Sequence, residues 1–142
     1  MSNPVFDALF KKVESEPYAR KLGIELVKLD HGYSLVKMVY SKDMDNIFGM
    51  AHGGAIYSLI DEAFETSANS HGTIAVALSV NVSYIKPAAQ GDILFAEAKE
   101  VSRSFKIGTY EIKVTNDKDE LIATCQAVAY RKKDKLPFLD LP

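Results

Sequence analysis

The sequence contains almost no cysteine. Cys125 stands alone among 142 residues, which excludes an internal disulfide framework. Tryptophan is absent and proline is limited to five positions. No apolar run approaches the ~20 residues that a membrane-spanning helix needs, and no basic, apolar and small-residue series opens the chain as a secretory leader would. Excess charge of one sign is missing too: the formal net charge is −2 with both signs scattered, so bulk electrostatics predicts no nucleic-acid partner. Internal repeats, low-complexity tracts and interdomain linkers are likewise not seen. What remains is an ordinary globular balance, 47% hydrophobic and 25% charged. A chain of 142 residues suits one compact domain that can bury roughly 70% of its unfolded surface without staples. A soluble, cytoplasmic protein is expected.

Hydrophobic periodicity divides the chain. Val5, Phe6, Leu9, Phe10 and Val13 recur at helical spacing over residues 4–16, with Asn3 as a cap, Pro4 in the first turn and Pro17 as a stop. Two short strands follow around the turn residues Asp30, His31 and Gly32. Residues 41–52 have no clean period and read as a loop. A helix is predicted from about 53 to 70, with Ile56, Leu59, Ile60, Ala63, Phe64 and Ser67 on one stripe, and His71-Gly72 as its stop. Asp61 falls at the stripe's edge, and Glu62 and Glu65 lie farther round. The second half reads as strands. Ile74, Val76, Leu78, Val80, Val82 and Tyr84 alternate with Thr73, Ala75, Ala77, Ser79, Asn81 and Ser83, predicting one deeply buried face and one of small residues. Three further strands carry the chain to a solvated tail, residues 132–142, the last strand placing Cys125 on a buried face as a small hydrophobe. The fold class is therefore α+β, one long helix with a large antiparallel sheet.

The stretch HGGAIYSLIDEAF, residues 52–64, carries the chemistry. Two glycines open a helix although each costs about 1 kcal/mol relative to alanine inside one. At a helix start, however, backbone amides are unpaired and the dipole is positive, and glycine lets an oxygen approach them. His52, Gly53 and Gly54 therefore form a candidate oxyanion site. Asp61 lies eight residues after Gly53, roughly 12 Å along the axis, too far for one small group to touch both within one chain. A second subunit would remove that obstacle.

The same string resembles the HGG-x(5)-L-x-D-x-A signature of hotdog-fold acyl-CoA thioesterases, the phenylacetate-degradation branch. Asn46, six residues before His52, and the strand SVNVSYIKPAAQGD extend the resemblance over roughly residues 22–131. It implies a long helix wrapped by a curved antiparallel sheet, subunits paired into a continuous sheet, and an active site at that interface. It implies Asp61 as general base or nucleophile, the Gly53 amide as oxyanion donor, Asn46 as orienting group and His52 on the carbonyl side. Gly54, Glu65, Ser79, Phe48, Arg103 and Lys106 are the implied substrate contacts, with Ala77 the alternative to Ser79. Glu65 departs from the family, where a small or hydroxyl residue is common, and either raises the Asp61 pKa by like-charge repulsion or points into solvent. Lys86, like Arg103 and Lys106, is a candidate for coenzyme A phosphates. Acyl-CoA is the expected partner, as substrate, and a homo-oligomer, a dimer of dimers, is the expected assembly.

Other chemistries fit less well. His31, His52 and His71 lack metal-ligand spacing, so no metal or redox cofactor is expected, and His31 and His71 read as surface residues. No G-x-S-x-G elbow supports an α/β-hydrolase route. A non-catalytic acyl-CoA sensor, a hydratase and a thioesterase acting on a carrier protein are the rivals. Asp45 precedes His52 in the wrong order for the hydratase. Phe48, Met50, Tyr57 and Phe64 could line an acyl pocket, yet they do not specify the acyl group.

Overall fold

A computed structural model describes residues 3–139. Helix α1 (Pro4–Ser15) starts as its sequence predicts: Asn3 Oδ1 accepts from the amides of Val5 (2.9 Å) and Phe6 (3.2 Å). Pro17 stops this helix and also opens a second, α2 (Pro17–Leu22), because proline fits a first turn where no amide partner is needed. Strands β1 (Glu25–Asp30) and β2 (Tyr33–Val39) form the expected hairpin. After a 3-10 turn at Lys42–Met44 comes the central helix α3 (Gly53–Ala68). A second 3-10 turn, Asn69–His71, ends at Gly72, whose φ of 90° is readily available only to glycine. Strands β3 (Thr73–Tyr84), β4 (Ile93–Arg103), β5 (Ile107–Asn116) and β6 (Leu121–Lys135) complete one sheet.

The sheet is antiparallel throughout, in the order β1-β2-β4-β5-β6-β3, and open, so β1 and β3 are its edges. Its inner face wraps α3. Ala96, Ala98, Ala123, Ala127 and Ala129, all fully buried, let the helix come close, and Leu94, Ile112 and Val114 fill the space around it. Leu59, Ile60, Ala63 and Phe64 answer from the helix, as the stripe predicted. Burial of each large side chain contributes roughly 1.5–3 kcal/mol, so Ile60→Ala would cost about 2–5 kcal/mol.

Two expectations need correction. The strict alternation over 73–84 does not survive, because the register slips between Ala77 and Ser79. Partners directly opposite share a face: Ala75 and Ala77 precede the slip, and Val80 and Val82 follow it, on the side facing the core. One extra residue in a bulge reverses the phase. Instead of one deeply buried apolar face, the edge strand exposes Val76 (43%), Leu78 (58%) and Tyr84 (55%). At the other end of the chain, residues 132–135 continue β6 rather than joining a solvated tail, and Lys135 pairs with Thr73. Residues 140–142 of that predicted tail lie outside the described residues.

Candidate active site

The central helix is covered on nearly every side. Its inner stripe faces the sheet, and α2 covers a second flank, where the Tyr18 hydroxyl lies 2.9 Å from Ser58 Oγ. Glu62, expected farther round the helix, is buried at 6% exposure for the same reason: the α1–α2 junction, with Glu16, lies against it. What stays open is a strip at four-residue spacing, Gly53, Tyr57, Asp61 and Glu65. Residues four apart stack on one helix face, so this strip runs the length of α3.

At the head of the strip the two glycines have separate structural reasons. His52 is the N-cap, its Nδ1 accepting from the Gly54 amide at 2.8 Å. A Cβ on Gly54 would sit 2.9 Å from that nitrogen, so the imidazole cap requires glycine there. A Cβ on Gly53 would meet the Tyr84 ring at 3.2 Å, and the Tyr84 hydroxyl donates to the Gly53 carbonyl at 3.0 Å. Gly54 therefore spends its amide on His52, whereas the Gly53 amide has no acceptor among the described residues. His52 Nδ1 is occupied by capping.

The preceding loop is built rather than slack. Asn46 Oδ1 accepts from the amides of Phe48 (2.9 Å) and Met50 (3.1 Å), and the Asn46 amide donates to the Met50 carbonyl at 2.7 Å. This leaves the Asn46 Nδ2 as its side-chain donor. Asp45 is held by Tyr40 and Gln90, which ties up the carboxylate a hydratase reading would use. Asn46, Met50, Gly53, Tyr84 and Lys86 line a cleft of about 350 Å³ at the helix head. Lys86 is paired with Glu120 at its rim, while Phe48 is 74% exposed on the loop.

The carboxylates along α3 are all shifted in one direction. Burial, then the negative charge of Glu16, hold its carboxyl above the ordinary aspartate value. The like charge acting on it is thus Glu16, where Glu65 had been expected. Burial and the neighbouring Glu16 raise Glu62 strongly and Glu65 less so. Burial pushes the Cys125 thiol up to about 11, so it stays protonated, an inert small hydrophobe as expected.

Several expected contacts are not brought to this site. Ser79, after the bulge, lies on the outer face of the sheet, and Ala77 takes the helix side. Arg103 bonds His71 and lies 3.8 Å from Glu100, at the far end of α3. Sixteen residues of helix separate that end from Gly53, roughly 24 Å. Lys106 shares the hairpin with Arg103 and is exposed there. His71, expected on the surface, is instead half-buried against Glu100. The sequence reading missed Tyr84 and Glu16 as neighbours of the site. Tyr84 is 31 positions from Gly53, and no local pattern links them.

Comparison with known proteins defines the class. The thioesterase superfamily model matches residues 48–123. A protein of Archaeoglobus fulgidus with an esterase designation is 40% identical over 116 residues, covering 82% of this chain and 75% of that one. This chain belongs to the thioesterase superfamily and has its hotdog fold; it is a thioester hydrolase.

Among its relatives is the acyl-coenzyme A thioesterase PaaI of Escherichia coli, 30% identical over 131 residues, or 92% of this chain and 94% of that one. The PaaI structure matches with a TM-score of 0.89 at 28% identity, covering 93% of this chain and 96% of that one. The 1,4-dihydroxy-2-naphthoyl-CoA hydrolase of Listeria monocytogenes is 26% identical over 119 residues, covering 80% and 95%.

Proposed function

We propose that this protein hydrolyses an acyl-CoA thioester to a free acid and coenzyme A, at a site shared between two subunits. The open strip along α3 carries the reading. It presents a Gly53 amide with no acceptor among the described residues and a carboxylate of raised basicity at half-buried Asp61. Within one chain those groups are separated by eight residues, roughly 12 Å along the axis, so one carbonyl cannot use both. Beside the strip, edge strand β3 offers unpaired backbone and exposed Val76, Leu78 and Tyr84. A second copy added to that edge by a two-fold axis sets each strip against the other, with Asp61 opposite Gly53 of the partner subunit. Further assembly is a dimer of dimers.

A thioester has little amide-like resonance and a good leaving group, so one carboxylate and one oxyanion donor suffice. The Gly53 amide accepts the developing oxyanion as a hydrogen-bond donor, contributing a few kcal/mol. Asp61 takes a proton from water while that water's oxygen bonds to the acyl carbon; collapse expels the coenzyme A thiolate, which the proton on Asp61 neutralises. Direct attack by Asp61, through a mixed anhydride that water then opens, uses the same groups. Asn46 Nδ2 orients the water or carbonyl. Lys86, at the cleft rim, takes the phosphate-contact role, since Arg103 and Lys106 of the same subunit lie beside the far end of α3. The exposed Phe48 and Met50 meet the acyl group. No metal or redox cofactor enters this step.

The test is thiol release from a panel of aryl and straight-chain acyl-CoAs by wild type and Asp61→Asn. Turnover that falls at least ~10²-fold in a variant still folded and oligomeric supports the mechanism. Full activity in the variant contradicts it. Binding of acyl-CoA without turnover by the wild type replaces it with the sensor reading, and turnover confined to a carrier-protein thioester moves the substrate to that class.

A further inference from the structure

We infer that Glu16, Glu62 and Glu65 form a binding site for one hard divalent cation, of the Mg²⁺, Mn²⁺ or Ca²⁺ type, which ties the α1–α2 junction to the central helix. The three residues come from two places far apart in sequence, and each directs a carboxylate oxygen to within 4.8 Å of the others. Oxygens that share one such cation at roughly 2.0–2.6 Å lie up to about 4–5 Å from each other, which this spacing meets. Glu62 supplies the independent sign. Glu62 is buried at 6% exposure, and its Oε2 has no hydrogen-bond partner among the described residues. A buried carboxylate beside two more is costly unless a proton or a cation neutralises it, and of the two only a cation satisfies all three groups at once.

None of the ion pairs formed between described residues includes Glu16, Glu62 or Glu65. Lys12, which lines the adjoining groove with Glu16 and Glu65, holds its ammonium 5.6 Å over the Phe138 ring instead. The donor set is all oxygen, without the nitrogen or sulfur that would favour zinc or copper, and it therefore selects hard ions that keep water in their remaining positions. Exposed Glu65 and half-buried Glu16 leave a route from solvent to Glu62. The sequence excluded a histidine-built metal site; this one is built from carboxylates and holds structure rather than reacting atoms. A bound ion would offset the Glu16 charge that acts on Asp61 and leave burial as the cause of its raised carboxyl; the proposal does not rest on the thioesterase reading, and its readouts are binding and melting.

The experiment strips the full-length protein with EDTA and titrates it with MnCl2, CaCl2 and MgCl2 at neutral pH, following heat of binding and Tm. Saturable uptake of one ion per chain is expected, with a Tm rise of roughly 9 °C at about a hundredfold excess over Kd. Glu65→Gln, at an exposed position that tolerates the change, and Glu62→Gln should each weaken binding at least ~10-fold. In EDTA, Glu62→Gln should melt no lower than wild type, since it replaces a buried ionisable carboxyl with a neutral amide. The proposal is overturned by absence of saturable binding into the millimolar range. It is equally overturned if both variants bind as wild type does, or if acid alone raises Tm and no cation does.

Discussion

The two ends of the central helix are finished in opposite ways. At its C-terminal end the chain satisfies its own polar groups. The Asn69 side chain donates to the Glu65 and Ala75 carbonyls and accepts from the Ala75 amide. Ser70 Oγ donates to the Ser67 carbonyl and accepts from Gly32. His71 and Arg103 stand near the negative pole of the helix, and Glu100 gathers His71 (2.8 Å) and the Tyr110 hydroxyl (2.6 Å). At the N-terminal end, His52 caps one amide and leaves that of Gly53 without a partner from the described residues. Both ends have the charge and the polar groups that a helix terminus supplies. Only one leaves them unused, and an unused donor above a cleft is what a substrate oxygen needs.

The sharpest way to break this comparison is Gly53→Ala. The added Cβ keeps the amide but meets Tyr84 at 3.2 Å and narrows the approach, so kcat/KM should fall roughly 10²-fold, near the loss seen when an oxyanion donor is removed. Pairing it with Tyr84→Ala separates the causes. Recovery in the double variant would mean that glycine serves the tyrosine, and continued loss that it serves the substrate.

The closed end should respond in stability instead. Glu100→Gln replaces the charged acceptor of a largely buried network with a neutral amide and should cost about 1–3 kcal/mol in denaturant unfolding, with kcat/KM within about twofold of wild type. Burial alone would raise the Glu100 carboxyl, but hydrogen bonds from Tyr110 and His71 and the charge of Arg103 hold it below its ordinary 4.5. Its folded value lies below its unfolded one, so its contribution is present above about pH 4.5 and is lost as pH falls through the folded value. The gap between wild type and Glu100→Gln should therefore close in acid. Arg103→Ala is the smallest effect: at most about 1 kcal/mol, as its ion pair is partly exposed, and no change in KM. A raised KM would restore Arg103 to the phosphate site, reached from another subunit.

The elements were legible because local chemistry dictates them: the Asn3 cap, the apolar stripe of α3, the glycine stop at Gly72. The glycine-headed helix with Asp61 was legible as a site only through its resemblance to a family. What the sequence hid is spatial. Val76 and Leu78 carry a strand-core pattern, yet they lie on an edge where one slipped register after Ala77 reverses the faces. Glu62 looks like a solvated helix residue until α1 and α2 cover it. Tyr84 and Gly53 meet only through tertiary packing, and Ser79 missed the site by the same single-residue slip.

The most direct test of a shared site is complementation. Asp61→Asn and Gly53→Ala chains, each weakly active alone, are unfolded and refolded together, and thiol release is measured. If Asp61 of one subunit works with Gly53 of the partner subunit, mixed pairs regain one intact site, and random mixing returns about a quarter of wild-type turnover. Activity that stays at the average of the two parents, in a sample shown to contain mixed oligomers, would place both residues in separate functions and contradict the account.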